Sequence, residues 1–179
     1  MTPNNLAPNK LAPNKLEIIA DPAKPTIVTR RVVNAPRALV FDAFTKPEHL
    51  KRWMGPRTFP MVHCESDLRV GGGYRFVHRG SDGQEVVFHG TYREIAPPER
   101  IVRTFVFGPK PDPEREAIET LLLEERDGKT TITTTSVHQT LAGRDGHLSG
   151  GRMEAGMTDG YSRLDELLAA LQEGAAAVR

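Results

Sequence analysis

The sequence predicts an α+β domain in which a curved antiparallel sheet of about seven strands wraps around one long C-terminal helix. Three observations support this class. Strand patterns separated by turn signals follow one another from Phe59 onward, two short helical patterns stand after the first strand, and the longest helical pattern comes last. A sheet of this kind needs an apolar helix to close its core, and it can leave a pocket at one end.

Composition narrows the class of protein before any motif is considered. The chain has 179 residues and a formal net charge of +1, and no basic block is present, which argues against a nucleic-acid partner. No apolar run reaches membrane-spanning length and no signal-peptide pattern is visible. Cys64 is the single cysteine, so an intrachain disulfide is excluded and a cytoplasmic, reducing location is the default. No cofactor is predicted.

The chain divides into a tail and one domain. Residues 1–25 are rich in proline and asparagine and contain the pentapeptide LAPNK twice in succession, which predicts a mobile tail. Within it, Leu16–Ile19 can add a short edge strand. We expect a single domain over residues 26–172 and a short C-terminal tail over residues 173–179.

The elements of the domain follow from local patterns. β-Branched residues over Thr26–Val33 predict the first strand. Amphipathic patterns over Arg37–Thr45 and Glu48–Trp53 predict two short helices, with proline between them. Six further strands, separated by glycine, proline and Asp-Gly turn signals, are predicted at Met61–Leu68, Tyr74–Arg79, Val86–Ile95, Arg100–Phe107, Glu116–Glu125 and Thr130–Val137.

The long helix is predicted over Leu148–Leu171, after a loop around Arg144. Apolar residues recur there at intervals of three or four and draw one stripe down the helix. Gly156 and Gly160 each cost up to about 1 kcal/mol relative to alanine, which indicates either a close approach of the sheet or room for a ligand. We expect the leucine-rich C-terminal half to pack firmly and the N-terminal half to lie more loosely over a cavity.

Four runs of residues carry a resemblance to a known family. They are RVVNAPRALVFDAFTKPEHLKRWMGP from Arg31, DLRVGGGYRF from Asp67, GTYREIAPPERI from Gly90 and GMTDGYSRLDELL from Gly156. In this order they resemble the family named after the activator of heat shock protein 90 ATPase, within the START and birch-pollen-allergen (SRPBCC) superfamily. The resemblance covers residues 25–171 and departs from the family at Met54, where an aromatic residue is usual.

The resemblance implies a helix-grip fold with a hydrophobic cavity between the sheet and the long helix, and it carries over no catalytic residues. Superfamily members include lipid carriers, polyketide cyclases, antibiotic-resistance proteins and co-chaperone domains. Our first hypothesis is therefore non-catalytic binding of a small lipophilic or aromatic molecule. One alternative is a polyketide cyclase- or dehydratase-like enzyme that uses a cavity histidine or tyrosine. Another is a co-chaperone-like interaction domain, and family analogy also allows a homodimer and a chaperone partner.

Residues that can line such a cavity are large apolar side chains with a few polar groups among them. Plain core packing is the alternative at each position, and for the single tryptophan the choice is between a core anchor and a cavity lid. The candidates are Trp53, Phe76, His78, Tyr92, Phe105, Phe107, Thr134, Met153, Met157 and Tyr161.

Histidine and cysteine are the other residue types that we considered for chemistry. His63, His78 and His89 lie on three successive predicted strands, so they can be close, but whether they share a face depends on register. Their spacing does not indicate a metal site. Cys64 follows His63 directly, and neighbours in a strand point to opposite faces, so this pair is not a ready dyad.

Overall fold

The structure is a computed structural model that describes residues 14–177, so most of the predicted mobile tail lies outside the described residues. The α+β class and the helix-grip arrangement are confirmed. In chain order the elements are β1 (Glu17–Ile19), β2 (Thr26–Val33), α1 (Arg37–Thr45), α2 (Pro47–Trp53), β3 (Met61–Ser66), β4 (Gly73–Arg79), β5 (Glu85–Ala96), β6 (Arg100–Phe107), β7 (Ala117–Arg126), β8 (Lys129–Val137), α3 (Leu141–Leu148), a 3₁₀ turn (Ser149–Gly151) and α4 (Arg152–Ala177).

All eight strands belong to one antiparallel sheet. Their spatial order is β1-β2-β8-β7-β6-β5-β4-β3. Strands β3 to β8 form a meander, whereas β2 crosses over to pair with β8. The count exceeds the predicted seven because β1, the edge strand that the sequence allowed inside its predicted tail, pairs with β2.

The sheet bends where β5 passes β6. Gly90 approaches β6 so closely that a Cβ atom added to it would lie 2.0 Å from the Thr104 carbonyl oxygen. The Thr104 hydroxyl accepts a hydrogen bond from the Thr91 amide at 3.0 Å, and the pairing register shifts between Tyr92 and Glu94. Irregularities of this kind increase twist and bend a strand, so they curve the sheet around the helix.

One face of the sheet packs against α1, α2 and α4. Residues of β2 alternate between buried and half-buried, as expected for a strand with one face in the core. The most deeply buried apolar side chains come from every layer of this packing. Among them are Val33, Val40, Leu50, Leu123, Ile132 and Leu164.

The structure corrects the prediction of a loop around Arg144, because this stretch forms α3. The Thr140 hydroxyl caps α3 by accepting a hydrogen bond from the Gly143 amide at 3.0 Å. The Arg144 side chain is buried, and its Nη1 donates to the carbonyl oxygens of Asp21 and Lys24. Capping and a buried guanidinium therefore stabilise a short helix that lacks apolar periodicity.

The long helix also starts and ends later than predicted. Gly150 and Gly151 have φ values of +72° and +66°, which interrupt the helix before Arg152. Its C-terminal end is Ala177, beyond the predicted domain end at residue 172. None of the helices within residues 14–177 is long and apolar enough to cross a membrane.

The two halves of α4 differ in burial, as the sequence pattern predicts. All the buried residues of α4 lie from Gly160 onward. The close approach at Gly160 is made to the turn after α2 rather than to the sheet. A Cβ atom there would lie 3.3 Å from the Gly55 nitrogen and 3.5 Å from the Trp53 carbonyl oxygen. At Gly156, the nearest atom to such a Cβ is Pro56 Cδ, at an ordinary 3.8 Å.

Alanine substitutions at the two glycines should therefore have opposite effects. We expect Gly156→Ala to raise the free energy of unfolding by up to about 1 kcal/mol, because the helix gains propensity without a clash. We expect Gly160→Ala to lower it by about 1 kcal/mol, because the rigid backbone nitrogen of Gly55, 3.3 Å from the new Cβ atom, must shift. Urea unfolding followed by Trp53 fluorescence measures both. Equal stabilisation by the two variants would contradict the close packing.

Candidate functional site

A small cavity lies between α1 and the inner faces of β6, β7 and β8. Its volume is about 20 Å³, enough for about one water molecule. The described residues thus do not show the ligand-sized hydrophobic cavity that the resemblance implies. The cavity is lined by Phe44, Ile101, Arg103, Glu119, Leu121 and Thr134.

An ion pair forms the polar wall of this cavity. Arg103 and Glu119 are direct partners in the β6–β7 register, and Arg103 Nε donates to Glu119 Oε1 at 2.8 Å. Arg103 Nη2 donates to the same oxygen. The two side chains are only 15% and 13% exposed, and the Arg103 guanidinium lies 4.6 Å from the centre of the Tyr74 ring. This pair therefore places a fixed donor and acceptor in the interior.

The Thr134 hydroxyl adds to the polar lining, and the Tyr161 hydroxyl lies beside it. Burial, together with the Glu119 carboxylate, raises the pKa of Tyr161 to about 12, while the neighbouring Thr134 hydroxyl acts in the opposite direction. The Tyr161 ring contacts the Trp53 indole, with ring centres 5.9 Å apart, and the Arg31 guanidinium, 5.3 Å from the ring centre. The Tyr161 hydroxyl is thus neutral at ordinary pH and fixed in position.

Three phenylalanine rings form an apolar surface beside the ion pair, here named the aromatic mouth (Phe88, Phe105 and Phe107). Phe105 stands two positions from Arg103 on the same face of β6. The Phe88 ring lies 5.5 Å from that of Phe105 and 5.4 Å from that of Phe107. Phe107 is 49% exposed, so the aromatic mouth leads from solvent towards the ion pair.

Two histidines border the aromatic mouth on the side of α3. The His147 ring lies 5.7 Å from Phe105 and 5.4 Å from His138. Burial lowers the pKa of His147, although Glu119 acts in the opposite direction. Burial, with His147 and Arg144 nearby, lowers the pKa of His138 to about 4. Both imidazoles are therefore neutral at pH 7.

This arrangement predicts a loss of stability in acid. The unfolded chain takes up a proton at His138 near pH 6.5, but the folded chain does so only near pH 4. The free energy of unfolding should therefore fall as the pH drops below 6.5, by about 2 kcal/mol at pH 5 from this residue. Urea unfolding at pH 7 and pH 5 measures the loss.

His138→Gln should remove most of this contribution to the pH dependence, and His63→Gln, at an exposed position, should not. An unchanged pH dependence in His138→Gln would contradict the assignment.

The predicted site residues fall into four locations. Thr134 lines the cavity with the Tyr161 hydroxyl beside it, and Phe105 and Phe107 lie in the aromatic mouth. Met153 and Met157, on the N-terminal half of α4, are half-buried, and Met157 packs against the core. The others, which are buried in the surrounding core, are Trp53, Phe76, His78 and Tyr92.

The buried members of the predicted set are held by specific contacts. Trp53 Nε1 donates to the Ala43 carbonyl oxygen at 2.8 Å, which makes this residue a core anchor. The Tyr92 hydroxyl is hydrogen-bonded to Ser66 Oγ at 2.8 Å. His78 Nδ1 lies 3.1 Å from the Phe59 carbonyl oxygen, and burial lowers the His78 pKa. None of these three side chains lines the cavity, but the His78 ring lies edge-on to that of Phe88 in the aromatic mouth, with ring centres 5.6 Å apart.

The three strand histidines do not share a face. His78 pairs with Met61 and Val86, whereas His63 pairs with Val77 and so points to the other side of the sheet. His89, which pairs with Arg75, also points away from His78. Within residues 14–177 no group of three or more His, Cys, Asp or Glu side chains is placed to hold a metal ion.

Sequence reasoning missed the charged centre of the site. Arg103 falls between Ile101 and Phe105 in the alternation of β6, and Glu119 falls between Ala117 and Leu121 in β7. When two consecutive strands each carry a charged residue at an inward-facing position, the pattern predicts a buried ion pair. The other residues that were not predicted are Phe44, Phe88, Ile101, Leu121, His138 and His147.

Comparisons with known proteins agree with this architecture. A family model described as "Activator of Hsp90 ATPase homolog 1-like protein" matches residues 34–169. A protein of Rhodobacter sphaeroides is 27% identical, with a TM-score of 0.77 over 87% of this chain and 99% of the other. A Nitrosomonas europaea protein is 25% identical, with a TM-score of 0.72 over 83% and 96%.

A third solved structure shows the fold alone. It is a protein of Mycobacterium smegmatis, 19% identical, with a TM-score of 0.77 over 86% of this chain and 97% of the other. Among curated proteins, none matches this chain significantly. Because the family model spans more than half of the sequence and the fold agrees with it, the chain belongs to the family of activator of Hsp90 ATPase homolog 1-like proteins.

Proposed function

We propose that this protein binds a small lipophilic or aromatic molecule between its sheet and the N-terminal half of α4. The observation that carries the proposal is the continuity between the aromatic mouth and the polar wall of Arg103, Glu119 and Thr134 along one sheet face. An apolar surface that ends in a few fixed polar groups is the usual make-up of a small-molecule site. The family's fold is consistent with a ligand-binding domain.

Ligand entry requires the cavity to enlarge. The loose packing of the N-terminal half of α4 and the glycine pair before it allow this. Its buried side chains begin at Gly160, while Met153 and Met157 are half-buried and flexible. Gly150 and Gly151, both at positive φ, separate α4 from α3. Movement about this glycine pair can displace α3 from the aromatic mouth while the leucine-rich half of α4 stays packed.

Native mass spectrometry of the protein purified from its source, beside a denatured control, tests the proposal. We expect a reproducible bound mass that denaturation removes. Phe107→Ser should reduce the bound fraction because it removes a large apolar face from the aromatic mouth, and its 49% exposure means that the fold tolerates the change. Val70→Ser, 62% exposed and away from the site, is the matched control. An empty wild-type protein, or equal occupancy in Phe107→Ser, would contradict the proposal.

The enzymatic alternative is favoured by one observation. His147 lies against Phe105 and near Glu119, and burial keeps it neutral, so its imidazole can accept a proton while Tyr161 can donate one. If proton transfer occurs, a ligand recovered by mass spectrometry should exchange a carbon-bound proton for deuterium in D₂O. His147→Gln should abolish that exchange while the ligand still binds. Binding without exchange favours the non-catalytic proposal.

Three further expectations from the sequence remain predictions, because no structural observation bears on them. They are a chaperone partner, a homodimer and a cytoplasmic location. Sedimentation velocity measures the oligomeric state directly, and co-purification with heat shock protein 90 tests the partner that the family name suggests.

A further inference from the structure

We infer that the ligand presents an uncharged group that both donates and accepts hydrogen bonds, such as a phenol hydroxyl or a carboxamide, to the Arg103–Glu119 pair. The inference rests on the proposed function, because it names the chemistry that the same site would recognise. Charge balance and hydrogen-bond geometry support it independently.

The charges in the interior already balance. Arg103 is paired with Glu119, and Arg31, on the neighbouring part of the inner face, is paired with Asp165 of α4. The Tyr161 hydroxyl and the His147 ring are both neutral at pH 7. A ligand carboxylate or ammonium would therefore bring an unmatched charge into a buried site, which is costly without a counter-ion.

The pair keeps one donor and one acceptor outside its own hydrogen bonds. Both hydrogen bonds from Arg103 end on Oε1 of Glu119, so Glu119 Oε2 and Arg103 Nη1 take no part in them. Both residues line the cavity. A hydroxyl or amide can donate to the free carboxylate oxygen while it accepts from the free guanidinium nitrogen. A carboxylate can only accept and an ammonium can only donate, so each leaves one half of the pair unsatisfied.

The neighbouring residues extend this recognition. The Thr134 hydroxyl lies at the cavity beside that of Tyr161, so a second polar atom of the ligand has a neutral partner within reach. The aromatic mouth begins two positions further along β6, at Phe105. The site therefore matches a short molecule with one neutral polar end and one apolar end.

Four compounds that share one apolar body test the inference. They are 4-butylphenol, butylbenzene, 4-butylbenzoate and 4-butylbenzylammonium, titrated into the wild-type protein at pH 7 by isothermal calorimetry or ligand-observed NMR. We expect the phenol to bind about tenfold more tightly than butylbenzene, because hydrogen bonds to charged partners are the strong ones. Its advantage over the benzoate and the ammonium compound should be larger than tenfold.

In the double variant Arg103→Met/Glu119→Leu, butylbenzene should bind at least as tightly as the phenol. Glu85→Gln, which alters an exposed ion pair, should leave the wild-type order unchanged.

Each result decides between the two proposals. If the benzoate or the ammonium compound binds most tightly, or if the phenol's advantage survives in the double variant, the inference is wrong and the proposed function stands. If none of the four compounds binds, the proposed function fails together with the inference.

Discussion

Replacing Glu119 with leucine should lower the free energy of unfolding by about 3–5 kcal/mol. The substitution removes one member of a pair whose side chains are 15% and 13% exposed, so the Arg103 guanidinium is left buried without a counter-charge. The loss should be much larger than the worth of the ion pair itself, because most of it is the cost of the unpaired charge. Chemical unfolding followed by Trp53 fluorescence gives the value.

A double variant separates these two contributions. Arg103→Met together with Glu119→Leu should recover most of the lost stability, since no charge is then buried and the volume is nearly conserved. The control is the pair Arg79–Glu85, which makes two hydrogen bonds to one oxygen as well, but is 53% and 43% exposed. Glu85→Gln should cost under about 1 kcal/mol. Equal losses at Glu119 and Glu85 would show that the interior pair is not desolvated.

Alanine at Gly90 should be the most damaging single-methyl insertion among the described glycines of the sheet. Its Cβ would lie 2.0 Å from the Thr104 carbonyl oxygen, and only a separation of β5 from β6 can relieve that contact. We expect a loss of about 3 kcal/mol or more in the free energy of unfolding. Because the same contact bends the sheet around α4, ligand binding should weaken as well.

The matched control for this prediction is Gly73→Ala, in the adjacent strand. A Cβ atom at Gly73 would lie 3.7 Å from the Gly90 carbonyl oxygen, which is ordinary contact. We expect its effect on thermal unfolding to stay within about 1 kcal/mol of wild type. If Gly90→Ala is as mild as Gly73→Ala, the close approach of β5 to β6 does not constrain the sheet.

Most of the fold could be predicted because its signals are local. The turn glycines and prolines bracket the strands, and the predicted strand Arg100–Phe107 and helix Arg37–Thr45 match the structure residue for residue. The short helix α3 could not be predicted in this way. It is stabilised by a cap at Thr140 and by Arg144, whose partners at Asp21 and Lys24 are more than a hundred residues away in the chain.

The candidate site was harder to predict because its central ion pair joins residues on two different strands, so no local sequence motif marks it. Thr134 and Tyr161 follow from alternation and helical periodicity, and Thr134 lines the cavity with Tyr161 beside it. Arg103 and Glu119 each look like an ordinary surface charge until the register of β6 and β7 places them opposite each other. The size of the cavity depends on how closely all the side chains pack, and no local pattern reports that.

The crossover that pairs β2 with β8 has a consequence for synthesis of the chain on the ribosome. Thr26 pairs with Val137 and Val33 with Thr130, so β2 must wait for about a hundred further residues before its partner exists. At a synthesis rate of roughly 5–20 residues per second, that interval is about 5–20 s. The meander can form hairpin by hairpin as it emerges, whereas β2 exposes a β-branched apolar edge throughout. Although β2 is the second strand to be made, it is therefore among the last to have both edges paired, and it is where a chaperone or an aggregating neighbour would bind the nascent chain.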